Sequence, residues 1–188
     1  MLDRRDFVSA LLVQRENLLV VCGLGSATYD VAAAGDHPLN FYLWGAMGGT
    51  AMIGLGLALA RPDRRVAVVT GDGDMLMGLG SLATIGVKQP NNLSIVVLNN
   101  AHYGETGMQP SHTQAGVDLT AVALACRFKR ANVVSRIEEA AGVRASLHAG
   151  DGPLLFDARI KAEDLPRVLP LRDGHVIKQR FVSALNST

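Results

Sequence analysis

The sequence predicts an α/β fold: a single doubly wound domain, residues 1–188, with about six parallel strands flanked by helices. Three observations carry this. Short apolar runs end in glycine-containing turns and are followed by helical segments, several times over. The runs are near-continuously apolar rather than alternating, as strands covered on both faces must be. The composition is 48% hydrophobic, 19% charged and only 5% aromatic, with 20 glycines, which suits a globular chain with many tight strand–helix turns.

Taken in order, residues 1–14 place charges ahead of a short apolar patch at helical spacing and read as a helix. "NLLVVCG" (17–23) is a β-branched strand ending in glycine, and 26–35 is the helix after it. "LNFYLW" (39–44) is a second strand. Residues 48–62 form a helix rich in small residues and stopped near Pro62. "RVAVVT" (65–70) is a third strand and 75–89 its helix. "NLSIVVLNN" (92–100) is a fourth strand, followed by a long polar loop at 101–116. Helix 118–128, strand 131–135, helix 136–150 and strand 152–160 complete the pattern, and a tail from about 161 to 188 ends in a helix near 175–185. In such a sheet, ligands gather beyond the carboxyl ends of the strands. The polar turns at 23–26, 44–49, 71–74 and 99–104 should therefore share one edge.

The bulk numbers exclude several classes. A net charge of +1 gives no basic surface for nucleic acid. Cys22 and Cys126 are far apart, so no cysteine-built zinc or iron–sulfur site is expected and both thiols are read as reduced. No apolar run reaches membrane-spanning length, and the N-terminal patch is too short for a signal peptide. The expectation is a cytoplasmic protein without membrane or nucleic-acid partners.

Gly71-Asp72-Gly73-Asp74 follows the third strand directly. Glycines allow close backbone approach to a ligand, and the N–H groups opening the next helix favour an anion. A carboxylate beside an anion is repulsive unless a cation lies between them. Asp72 therefore suggests Mg2+ bridged to phosphates, with helix capping as the alternative. Asn99-Asn100 ends the next strand after an interval of 25 residues, which fits one helix plus one strand and returns the chain to the same edge. The Asn100 amide oxygen could join Asp72 on one metal; a plain polar turn is the alternative.

The pair GDG…NN resembles the diphosphate-binding motif of thiamine diphosphate enzymes. "WGAMGG" (44–49) is similar to the segment with which that family grips the aminopyrimidine ring, and "GLGSAT" (23–28) lies where it places diphosphate contacts. The resemblance spans roughly residues 17–160 with the motifs in family order. It implies thiamine diphosphate and Mg2+ as cofactors. The implied metal ligands are Asp72, the Asn100 side chain and the His102 carbonyl. The implied cofactor contacts are Gly25, Ser26, Gly45 (carbonyl to the exocyclic amine), Ala46, Met47 (the wedge beneath the cofactor), Gly71, Asp72, Gly73, Asp74, Asn100, His102, Tyr103 and Gly104.

Within the family, "NNAHYGETGMQPSHT" (99–113) and "RDGHVIKQRF" (172–181) resemble the sulfopyruvate and phosphonopyruvate decarboxylases, the former through its beta subunit. The function implied is Mg2+-dependent decarboxylation of a small anionic 2-oxo acid, sulfopyruvate first and phosphonopyruvate second. Two other readings stand beside it: the beta-type subunit of a 2-oxoacid:ferredoxin oxidoreductase, suggested by "YGETG", and a non-catalytic cofactor-binding module. The family needs a Glu from a separate pyrimidine-binding domain, for which this chain has no room. The implied assembly is a hetero-oligomer with an alpha-type subunit that carries it. Glu105 and His112 are the acid/base candidates of the 101–116 loop. Related decarboxylases place an acid one position later, where this chain has Thr106, so a loop salt bridge is the alternative role for Glu105.

Overall fold

The computed structural model describes residues 1–45 and 47–187. Six strands form one parallel sheet: β1 (Leu19–Cys22), β2 (Asn40–Tyr42), β3 (Val66–Gly71), β4 (Leu93–Asn99), β7 (Arg130–Val134) and β8 (Leu154–Arg159), in the order β2-β1-β3-β4-β8-β7. The predicted parallel α/β sheet is thus present, with the order reversing between β1 and β3. Strand residues alternate between two cores. Val20, Cys22, Ala67, Val69, Val96 and Phe156 face helices α1 (Arg4–Leu12), α2 (Ser26–Ala33) and α7 (Ala140–Ala149). Leu19, Val21, Val66, Val68, Ile95, Val97 and Leu155 face α3 (Thr50–Ala60), α5 (Ser81–Lys88) and α6 (Leu119–Ala125).

The helix predicted at 75–89 is two helices. α4 (Asp72–Met77) begins inside the GDGD motif, and α5 follows after a break at Gly78. The cause is a tertiary contact: a β-carbon on Gly78 would come within 2.2 Å of the Gly48 carbonyl oxygen, so two backbones meet there. Gly54 plays a related part in α3, where an added β-carbon would lie 2.2 Å from Val68 Cγ2; its absence lets α3 sit directly on β3.

The stretch 101–116, read as irregular, contains a short antiparallel hairpin. Strands β5 (His102–Tyr103) and β6 (Gln109–Pro110) pair His102 with Pro110 and Tyr103 with Gln109, around a 3₁₀ turn at Gly104–Thr106. The segment 136–150 likewise opens with a 3₁₀ turn, Ile137–Glu139, before α7. After β8 the chain runs without regular structure from 161 to 173 and ends in α8 (Gly174–Asn186). That irregular run crosses back over the sheet edge. The Trp44 indole N–H donates to the Leu171 carbonyl at 3.0 Å, and Arg5 reaches the Pro166 carbonyl. Leu2 extends β8 by backbone bonds to Arg159 and Lys161, both 2.9 Å, which brings α1 to the same edge.

Candidate active site

The turns after β1, β3 and β4 converge on one cavity that opens to solvent. Its lining includes Ser26, Met47, Gly71, Asp72, Gly73, Asp74, Asn100, His102, Tyr103, Gly104 and Glu105. Most of the residues singled out in the sequence are therefore brought together. Gly25 adjoins the cavity as the N-cap of α2, at φ +78°. Gly45 adopts φ +93° with open space where a side chain would be. Ala46 lies outside the described residues. His112 is exposed and absent from the lining; its Nδ1 lies 3.3 Å from the Tyr103 hydroxyl.

The two aspartates of the motif do different work. Asp74 is committed to protein partners: one oxygen accepts the Gly48 backbone N–H and the other the Thr70 hydroxyl. It ties Gly48 to the end of β3. Asp72 is 1% exposed, and no ion pair reaches it among the described residues. Its Oδ2 accepts hydroxyls from Ser111 (2.5 Å) and Thr113 (3.0 Å). Burial pushes its carboxyl above the usual carboxylate range, partly offset by those hydroxyls and by backbone N–H groups including that of Asn100. A buried carboxylate lined up this way is in want of a cation.

The donor set fits Mg2+ with a diphosphate. No group of three or more His, Cys, Asp or Glu gathers anywhere among the described residues, so a metal here must draw on neutral oxygens and on its ligand's own. That is how Mg2+ is commonly held, by one or two carboxylates plus phosphate oxygens. Asn100 Oδ1 accepts the His102 N–H at 2.9 Å, which fixes the amide while leaving its second lone pair. The α2 N-terminus has no side-chain cap, so its N–H groups are free for an anion. Gly73 is matched to its cover: a β-carbon there would lie 2.8 Å from two ring carbons of Tyr103 and 3.6 Å from Met47 Cε.

Several contributors escaped the sequence reading. Behind Asp72, Asn99 Oδ1 accepts the Thr113 hydroxyl and the Ala101 N–H, both at 3.0 Å, and Asn99 Nδ2 donates to Asp157 at 2.8 Å. Asp157 is fully buried, and Arg159 lies 2.8 Å from its other oxygen. Burial raises the Asp157 carboxyl, and the neighbouring Asp72 charge adds to this. On the opposite wall, buried Arg4 lies 3.2 Å from Asp30, which Arg5 also approaches at 3.4 Å. Burial pushes Asp30 up to about 6 despite both cations. Glu105 leans over Gly25, within 2.9 Å of where a β-carbon would be, and pairs with Arg167 of the 161–173 run at 3.2 Å. The Arg167 guanidinium also sits 5.7 Å from the Tyr29 ring centroid.

Comparison with known proteins places this geometry. Residues 23–158 match the family model described as "Thiamine pyrophosphate enzyme, C-terminal TPP binding domain". The chain is similar to sulfopyruvate decarboxylase subunit beta of Methanothermobacter thermautotrophicus, 38% identical over 184 residues, covering 97% of this chain and 95% of that protein. It is also similar to the phosphonopyruvate decarboxylase of Streptomyces viridochromogenes, 40% identical over 156 residues, covering 80% of this chain but 39% of that longer protein. Among solved structures it resembles the thiamine diphosphate-dependent 4-hydroxybenzoylformate decarboxylase of Rhodococcus jostii RHA1, with a TM-score of 0.71 at 20% identity, covering 86% of this chain and 33% of that one. That last likeness is one of fold.

Proposed function

We propose that this chain, which belongs to the thiamine pyrophosphate enzyme family and within it to the group of sulfopyruvate decarboxylase beta subunits, is the beta subunit of a two-component decarboxylase that converts sulfopyruvate to sulfoacetaldehyde and CO2. The observation that carries this reading is the buried Asp72 carboxylate, which has no ion pair among the described residues, in a cavity rimmed by Asn100 and by helix N–H groups without a side-chain cap.

Asp72, the Asn100 amide oxygen and the His102 carbonyl hold Mg2+ in this reading. The backbone N–H groups from Gly25 to Ser26 and from Gly71 to Gly73 would hold the diphosphate, and Met47 would contact the cofactor, while Tyr103 packs over Gly73 at the cavity. When bound, thiamine diphosphate supplies the electron sink that takes up the pair released as CO2 departs. Glu105 and His112 remain the hairpin's candidates for handling protons at the substrate. The acid that acts on the aminopyrimidine comes from an alpha-type subunit with the pyrimidine-binding domain. Support for such a partner lies beside the cavity. Met52, Ile53 and Leu59 form an exposed apolar stripe on α3, and Met47 and Met77 are exposed as well. The anionic substrate enters from the open side. No helix among the described residues is long and apolar enough to cross a membrane, and a cytoplasmic location is part of this proposal.

The test is reconstitution. The chain and its alpha-type partner, mixed with thiamine diphosphate and Mg2+, should release sulfoacetaldehyde from sulfopyruvate, whereas the chain alone should not. A preference for phosphonopyruvate, or turnover only in the presence of coenzyme A and an electron acceptor, would overturn the assignment.

A further inference from the structure

The hydroxyls of Ser111 and Thr113 converge on a single carboxylate oxygen. Ser111 Oγ lies 2.5 Å and Thr113 Oγ1 3.0 Å from Asp72 Oδ2, and the two hydroxyl oxygens are 2.8 Å apart. Each hydroxyl has one proton to give. Ser111 gives its proton to Asp72. Thr113 lies equally near Asp72 Oδ2 and Asn99 Oδ1, each at 3.0 Å. All four side chains are buried, so water does not substitute for any of these bonds. The same residues bracket the β5–β6 hairpin. At its entry, Asn99 Oδ1 and Asn100 Oδ1 take the N–H groups of Ala101 and His102. At its exit, the Ser111 N–H donates to the Ala101 carbonyl at 2.8 Å while its side chain reaches Asp72.

We propose that Ser111 and Thr113 are positioning residues of the metal site: their hydroxyls fix Asp72 Oδ2 and with it the orientation in which the carboxylate would hold a cation, and because the same residues anchor the β5–β6 hairpin, order in the hairpin and cation binding would be one coupled event. This rests on the reading of Asp72 as a metal ligand given above. Outer partners of a metal-bound carboxylate set its orientation and typically change affinity by 10–100-fold when removed. The coupling follows from shared atoms. The oxygen that orients the carboxylate is the oxygen that anchors the hairpin, so loosening one loosens the other.

The experiment measures the Mg2+ affinity of the full-length chain by calorimetry with inorganic pyrophosphate as the anion, in wild type, Asp72→Ala, Ser111→Ala, Thr113→Val and Thr113→Ser. Ser111→Ala and Thr113→Val should each weaken Mg2+ binding by about 10-fold or more, and Thr113→Ser should restore it to within about threefold. A purely structural role would lower the melting temperature and leave Mg2+ affinity unchanged, which overturns the proposal. If Asp72→Ala also leaves affinity unchanged, the metal assignment itself falls. Hydrogen exchange on the wild type provides a second reading that needs no variant. Mg2+ with pyrophosphate should slow the amides of Ala101, His102, Met108 and Ser111 together. Slowing confined to Ala101 and His102 would refute the coupling.

Discussion

Tyr103 packs so closely on Gly73 that a single added methyl would collide with its ring, 2.8 Å from two carbons of one ring edge. The contact joins the hairpin to the helix that opens with Asp72. Gly73→Ala should therefore push the hairpin off the cavity, with the cost of roughly 1–3 kcal/mol typical of overpacking a fitted contact. Urea denaturation gives the stability loss, and titration with thiamine diphosphate plus Mg2+ should show weaker binding. Tyr103→Phe keeps the ring and should bind normally.

Asp74 and Asp72 should separate cleanly under mutation. Asp74→Asn disrupts bonds to the Gly48 N–H and the Thr70 hydroxyl, and hydrogen bonds to a charged group contribute about 1.5–3 kcal/mol each. The expected result is a lower denaturation midpoint with Mg2+-dependent cofactor binding retained. Asp72→Ala removes a buried charge that has no cationic partner among the described residues, but also the acceptor of the buried Ser111 and Thr113 hydroxyls. Its distinguishing result should be the loss of Mg2+-dependent binding, which Asp74→Asn retains.

The Glu105–Arg167 pair is partly exposed on both sides, and such pairs contribute about 0–1 kcal/mol. Glu105→Gln should thus leave the melting temperature nearly unchanged. It removes a negative charge from the N-terminus of α2, where an incoming anion must bind. Pyrophosphate affinity should rise by roughly two- to fivefold, the size of a helix-end charge effect, as calorimetry can show. If Glu105 also handles a proton in turnover, kcat of the reconstituted enzyme should fall at the same time.

Asp30 gives the fold a pH dependence of definite sign. Its carboxyl lies at about 6 in the folded chain against an ordinary 3.8. Between those values the folded state holds a proton that the unfolded chain has released, so this group's contribution makes stability fall as pH rises through the window. Above it, the charged form persists beside Arg4 and Arg5 with the burial cost in place. Asp30→Asn should flatten the change in urea midpoint between about pH 4 and pH 6. An unchanged slope would show that other groups carry it.

The apolar stripe on α3 is open to direct challenge. Met52→Lys and Leu59→Lys are surface changes on the isolated chain and should leave its melting temperature within about 2 °C. Both should prevent association with the alpha-type subunit in size-exclusion chromatography. Retention of the complex would move the interface elsewhere.

The sheet was legible because strands buried on both faces must be apolar throughout, and 66–70 and 93–98 could be little else. Asp72 and Asn100 were legible because charge and amide at strand ends, one helix apart, demand a joint explanation. The break at Gly78 was not, since its cause is Gly48, thirty residues away in the chain. The hairpin was hidden because strands of two residues have no periodicity to read. Ser111 and Thr113 looked like ordinary loop residues; their spacing of two, which places both hydroxyls on one side of an extended segment, was the available signal. Arg4 carried no sequence signal beyond its place in a charged N-terminal helix.

Gly54 has a bearing on how the cavity can move. With Val68 seated where its side chain would be, α3 is keyed to the sheet like a dowel in a socket, and it cannot slide lengthwise without lifting away. The side of the cavity that carries Met47 adjoins the start of that keyed helix at Thr50. The opposite wall hangs on a few side-chain bonds to Asp72 and Asn99. The cavity therefore pairs a fixed jamb, keyed to the sheet through Gly54, with a hairpin suspended from its own ligating residues.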